Sequence, residues 1–306
     1  MRQFWCGLAG LALALSNAGS ARAQDAVKIG IIMPYSGQFA DTAAQMDNAI
    51  KLYIKQHGDT VAGRKIELIR KDTGGVAPDV AKRLAQELIV RDHADILTGF
   101  VLTPNALAAA DVSAEAKKFM VVMNAATSII TTKSPYLART STTTPQLNQT
   151  LGTWAAKNGI KRIFTMVSDY GPGIDAESAF QLGFKEAGGE IVGSVRFPVA
   201  NPDFSAFVQR AKDANADAIF MFVPGGAQPA ALGKALVSRG LTPKTTKILG
   251  NGEITMEDAL KNMGDDAIGI ITAFHYDPSH DSALNREFVT AYVKSFGRNQ
   301  IGRAHV

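Results

Sequence analysis

The chain has 306 residues, 46% of them hydrophobic and 20% charged, with a formal net charge of +4. That length suits two domains of ordinary size, and a near-balanced charge without a basic stripe excludes a nucleic-acid-binding surface of the usual kind. A single cysteine, Cys6, excludes a disulfide framework or a cysteine-based metal centre.

The first element is a leader. Arg2, the apolar stretch from Phe4 to Leu15 and the small-x-small site Ala21-Arg22-Ala23 predict a removable export signal over residues 1–23. The stretch is too short to span a bilayer, Cys6 lies too early for lipid attachment, and no later run is long and apolar enough to be a transmembrane helix. Cleavage is expected to leave 283 residues with a net charge of +2, since Arg2 and Arg22 depart with the signal.

From residue 24 a rhythm of strand, loop and helix runs through the chain twice. The first run opens with KIGIIMPYSG and a helix from about Asp41 to His57, with Ala49, Ile50, Tyr53 and Ile54 on one stripe. KIELIRKDTGG follows, then a helix begun near Pro78 and carrying Val80, Leu84 and Leu88, then ADILTGF and FMVVMNAATS. A β-prone seam at 136–144 leads through Pro145 into a helix whose stripe is Leu147, Leu151 and Trp154, with Trp154 expected in the core. The second run contains KRIFTMVSDYG, a helix with Phe180 and Phe184 stopped by Gly188-Gly189, EIVGSVRFPVA, a helix with Phe204, Phe207, Val208 and Ala211, DAIFMFVPGG, a helix with Leu232, Ala235 and Leu236, and KILGNG. A second seam at 270–276 precedes a helix from about Ser282 to Ser295, with Leu284, Phe288, Ala291 and Tyr292 on one face.

Runs such as Ile29–Met33, Ile163–Val167 and Ala218–Val223 are nearly continuous in apolar residues, as expected of parallel strands covered on both faces. Alternation with helices implies right-handed crossovers, and so an α/β fold of two doubly wound parallel-sheet lobes. The expected division is lobe 1 over 24–140, lobe 2 over 141–274 and a return to lobe 1 over 275–300, with two seams that suit lobe closure. In such sheets ligands sit beyond the carboxyl ends of the strands.

The loops at those ends give no case for catalysis. No G-x-G-x-x-G follows a strand, and Walker A, G-x-S-x-G and H-E-x-x-H motifs are missing from the sequence. His57, His93, His275, His280 and His305 show no metal-ligand spacing, and His275 reads as structural, so no cofactor, metal or catalytic residue is expected. Binding has a better case. Asn124-Ala125-Ala126-Thr127-Ser128 follows a buried strand, and small residues there let a ligand approach backbone N–H groups suited to an anion. Thr103 sits where an N-cap is expected, with Pro104 at the first helical position, and reads equally as a cap or a ligand contact. Thr127 has the same two readings, with binding favoured. Tyr170, in Ser168-Asp169-Tyr170-Gly171-Pro172-Gly173, can close over a ligand or be a surface turn residue, and Glu253 can receive an ammonium group, although a lone loop carboxylate is more often solvated.

These loops carry a family likeness. In KIGIIMPYSGQFAD, T-G-F-V-L-T-P, V-V-M-N-A-A-T-S, L-A-R-T-S, D-Y-G-P-G and DFSAFVQRAKDANADAIF the chain resembles the periplasmic solute-binding proteins of ABC transporters, of the branched-chain amino acid (Leu/Ile/Val-binding) type. The resemblance implies a type I periplasmic-binding fold of two lobes joined by three crossovers, without catalysis. It implies an exported monomer that closes on a small-molecule solute and then docks on a membrane permease. A ligand carboxylate is expected at Thr103, Ala125 and Thr127, with Tyr170 facing it from the second lobe and Glu253 near the position that meets an α-ammonium.

Two departures point away from a leucine-type ligand. Leu102-Thr103-Pro104-Asn105-Ala106 replaces a Ser-rich loop, and Val223-Pro224-Gly225-Gly226 lacks an aromatic residue. The expected solute is therefore an amino acid or an aromatic or other organic acid. A ligand-sensing domain of a regulator on the same fold is the alternative. The family also continues past the helix at 282–295, whereas Ile301-Gly302-Arg303-Ala304-His305-Val306 fits no helix or strand pattern and resembles a translated sequencing adapter. The expectation is a truncated record with a non-native tail over 301–306.

Overall fold

The structure is a computed structural model that describes residues 25–297. The leader at 1–23 and the tail at 301–306 lie outside the described residues.

The first sheet is built from β1 (Val27–Met33), β2 (Thr60–Val61), β3 (Arg64–Asp72), β4 (Ile96–Gly99), β5 (Phe119–Val122) and β6 (Leu137–Arg139), in the order β2-β3-β1-β4-β5-β6. All its pairs are parallel except the short β2–β3 hairpin. The crossovers are α1 (Ala40–His57), α2 (Pro78–Val90) and α3 (Thr103–Ala116). After α4 (Thr144–Lys157) come β7 (Arg162–Ser168), α5 (Gly171–Glu186), β8 (Glu190–Phe197), α6 (Ser205–Asp213), β9 (Ala218–Phe222), α7 (Gln228–Ser238), β10 (Lys247–Asn251), α8 (Glu257–Met263) and β11 (Ile271–Ala273). These strands form an all-parallel second sheet in the order β11-β10-β9-β7-β8. The strand order reverses at β1/β4 in one sheet and β7/β9 in the other, which marks the switch points where α/β sheets bind ligands. Finally α9 (Ala283–Phe296) packs Tyr292 against Ala49 and Leu52 of α1.

The central strands of each sheet are covered by apolar side chains on both faces, as their continuous apolar patterns require. All five residues of β9 are buried, and Phe220 stacks on Phe180 with ring centroids 4.0 Å apart. The α4 N-terminus is fixed by a capping box, in which the Thr143 hydroxyl accepts from the Gln146 amide and the Gln146 side chain accepts from the Thr143 amide.

Helices α4 and α5 meet backbone to backbone. A methyl group on Gly152 would lie 2.2 Å from the Phe180 carbonyl oxygen, and one on Gly183 would lie 2.3 Å from that of Gln149. This contact corrects one expectation. Asn148, Leu151, Gly152 and Ala155 form the buried face of α4, which turns Trp154 outward, 40% exposed. One member of each of two other expected stripes also faces outward. Tyr53 is 65% exposed and lies against His57, and Leu284 is 78% exposed because α9 meets α1 through its Phe288–Tyr292 side. We predict that Gly152→Ala forces the two helices apart and costs about 2–3 kcal/mol, a fall in melting temperature of about 5–10 °C. A thermal melt unchanged within error would contradict this packing.

Candidate functional site

The cleft between the two sheets is assembled from the loops at the carboxyl ends of β4, β5, β7, β9, β10 and β11. On the first-lobe side, Phe100 leaves β4 with φ +64°, a left-handed conformation that is unusual for a bulky side chain. It is held there by burial and by its amide, which donates to the Ile32 carbonyl at 2.8 Å. The turn swings Thr103 into the cleft at the start of α3.

Thr103 is the first residue of α3 rather than its N-cap. The N-cap is Leu102, no side chain caps the helix, and Pro104 is the second helical residue. Thr127 is the N-cap of the short 3₁₀ turn Ser128–Thr132, yet its side chain makes no cap bond. Instead the two hydroxyls meet each other at 3.0 Å, at 3% and 4% exposure. A hydroxyl pair can pass one donor between its members and offer the second outward.

The loop beneath them is fixed from behind. Arg139 of β6 donates to the carbonyls of Ala125 (3.2 Å) and Thr127 (2.8 Å), and its burial pushes the guanidinium below its ordinary range. Asn124 ties this loop to the first one by donating to the Val101 carbonyl at 2.9 Å. Ala125 is buried and lines the cleft, but its N–H is committed to the Phe100 carbonyl at 2.9 Å. Among the described residues, the amides of Ala126 and Thr127 donate to no acceptor, so the free backbone donors lie just after Ala125.

The opposite wall comes from the second lobe. Tyr170 is the N-cap of α5, with its ring centroid 6.3 Å from that of Phe222. Asn251 ends β10 and donates to Glu253 at 2.9 Å, and Glu253 lines the cleft from the turn that follows. Phe274 and His275 reach the cleft from the loop after β11, and burial pushes the His275 imidazole below its usual pKa. The aromatic wall missing at Val223–Gly226 is therefore supplied by Phe222, one position earlier, and by Phe274.

Thr103, Ala125, Tyr170 and Glu253 thus line one cleft, and Thr127 touches it through Thr103. Sequence reasoning missed Ser141 and Asn148, on the crossover into α4 and on α4 itself, and set His275 aside as structural; all three line the cleft. A signal for part of this was present. Helices α3, α4 and α5 each carry proline at their second position, and each sends a first-turn residue, Thr103, Thr144 or Pro172, to the cleft. Three helix N-termini directed at one space favour an anion there.

The lobes are closed. The Ser128 amide and hydroxyl both donate to Asp175 of α5, at 2.8 and 3.1 Å. A methyl group on Gly171 would lie 3.1 Å from the Thr127 hydroxyl, and one on Gly226 would lie 2.3 Å from the Gln38 carbonyl oxygen. Two α/β lobes meeting over a cleft of hydroxyls, helix N-termini and aromatic rings define a solute-binding receptor.

Comparison with known proteins fixes the family. The periplasmic binding protein model matches residues 26–305, and the chain belongs to that family. It is 42% identical over 282 residues to the Leu/Ile/Val-binding protein homolog 6 of Brucella melitensis biotype 1, covering 92% of this chain and 72% of the relative. Among solved structures it is similar to a solute-binding protein of an ABC transporter from Rhodopseudomonas palustris BisB5, in complex with 3,4-dihydroxybenzoic acid. That match has TM-score 0.87 and 51% identity, over 92% of this chain and 77% of that one. A second R. palustris solute-binding protein, in complex with 4-hydroxybenzoate, matches with TM-score 0.87 and 40% identity, over 92% of this chain and 75% of that one. The type I periplasmic-binding fold and the receptor class expected from the sequence are both shown, and the chain is a substrate-binding component of ABC transport.

Proposed function

We propose that this protein captures a small aromatic carboxylate between its lobes and presents the closed form to a membrane permease on the periplasmic side. The observation that carries the reading is the buried Thr103–Thr127 hydroxyl pair at the N-terminus of α3, beside the unpaired amides of Ala126 and Thr127. Hydroxyl, amide and helix dipole together form an anion site that needs no basic side chain. Tyr170, Phe222 and Phe274 supply apolar walls for a ring, and the ligands of the two R. palustris neighbours have that shape. Closure buries the ligand, and contacts made only in the closed form shift the equilibrium towards it.

A ligand that binds only the native state raises the melting temperature in proportion to the logarithm of its concentration over its Kd. Benzoate, 4-hydroxybenzoate and 3,4-dihydroxybenzoate are expected to raise it, and leucine to have little effect. Stabilisation by leucine and not by the aromatic acids would overturn the reading.

A further inference from the structure

The cleft holds more hydrogen-bonding capacity than a carboxylate uses. Asn148 is fully buried, and its side-chain nitrogen donates to the Thr144 carbonyl at 2.8 Å. Asn251 is 4% exposed, and its nitrogen donates to Glu253 at 2.9 Å. Those partners are pure acceptors, so they settle which end of each amide is nitrogen. The two oxygens, Asn148 Oδ1 and Asn251 Oδ1, are thereby fixed as acceptors, and neither has a donor among the described residues. The hydroxyl of Ser141 is also buried without a partner. All three side chains line the same cleft, reached from the β6–α4 crossover, from α4 and from the end of β10.

A buried polar atom left without a partner costs free energy, so three of them in one cleft call for a donor supplied from outside the protein. We infer that Asn148 and Asn251 are specificity-determining residues that accept hydrogen bonds from ligand hydroxyl groups. The protein then selects hydroxylated aromatic acids over the unsubstituted acid. The inference rests on the aromatic-carboxylate reading and names the subset of that class which the cleft takes. Its physical basis is asymmetric. A site built to accept a hydrogen bond rejects an analogue that lacks the donor, because the buried acceptor stays unpaired when that analogue binds. Benzoate presents only its carboxylate, whereas 4-hydroxybenzoate and 3,4-dihydroxybenzoate add phenolic donors on the far side of the ring.

The test is a calorimetric titration of the wild type, Asn148→Ala and Asn251→Ala with benzoate, 4-hydroxybenzoate and 3,4-dihydroxybenzoate. A thermal melt of each variant establishes that it is folded. The wild type is expected to bind at least one hydroxylated acid at least tenfold more tightly than benzoate, and in one or both variants that ratio falls at least threefold. The ratio is internal to each variant, so a general loss of affinity does not imitate the effect, and Asn251→Ala serves if Asn148→Ala fails to fold. Binding of all three acids by the wild type without preference would overturn the inference and leave the aromatic-carboxylate reading standing. A preference that persists undiminished in the folded variants would overturn the assignment to Asn148 and Asn251. Failure of every acid to bind would overturn the underlying reading itself.

Discussion

Gly226→Val is expected to lower ligand affinity by at least about 100-fold while leaving both lobes folded. Gly226 lies in the second lobe, at φ +85°, and a methyl group there would sit 2.3 Å from the Gln38 carbonyl oxygen of the first lobe. Two penalties follow. The left-handed backbone costs a β-branched residue about 1–2 kcal/mol in the open and closed forms alike. The clash exists only when the lobes are shut, and a backbone oxygen cannot swing aside as the end of a long side chain would. An added penalty of roughly 3 kcal/mol on the closed state alone converts to about a hundredfold in affinity, because the binding-competent fraction falls by that factor. Calorimetry gives the affinity, and small-angle scattering gives the closure. The wild type is expected to contract when saturated with ligand and the variant to stay extended. A variant that binds and contracts like the wild type would show that closure at Gly226 is dispensable.

The second large effect is at the hydroxyl pair. Thr127→Val keeps the shape of the side chain and deletes one hydroxyl. Loss of a buried hydrogen bond to a charged group costs about 1.5–3 kcal/mol, or roughly 10- to 150-fold in affinity. Thr103→Val is expected to behave in the same way. The double variant should cost less than the sum of the two, because the hydroxyls bond each other at 3.0 Å and act as one donor unit. Neither hydroxyl caps its helix, but each is the other's buried partner, so each single variant is expected to lower the melting temperature of the ligand-free protein by a few degrees. A large loss of stability without loss of affinity would return both residues to a purely structural role.

The strands and most of the loops were legible because they depend on local pattern. A continuous apolar run such as Ile163–Val167 has to be covered on both faces, and the residues after it have to end the strand at the cleft. The same reasoning placed Thr103, Ala125, Tyr170 and Glu253 at strand ends, where they line a common space. What stayed hidden depends on contacts between distant segments. Whether Thr103 and Thr127 cap helices or serve a ligand was undecidable from spacing, since it turns on their meeting each other across 24 residues of chain. The commitment of the Ala125 amide to Phe100 is equally invisible, because it follows from the left-handed turn at Phe100. Trp154 has the spacing of a core residue. It is displaced because Gly152 admits the backbone of α5 closer than any side chain on α4 would, and the helix rotates accordingly. Asn148 sits inside an apolar stripe, where a single amide reads as an irregularity until its unpaired oxygen is located beside the ligand space.

In the proposed function the two lobes close on an aromatic carboxylate held by the Thr103–Thr127 pair. Its most direct test is a calorimetric titration with 3,4-dihydroxybenzoate of the wild type and of Thr127→Val. The wild type is expected to show saturable one-to-one binding, and the variant an affinity at least tenfold weaker. No heat of binding in the folded wild type, or equal affinity in the two proteins, would contradict it.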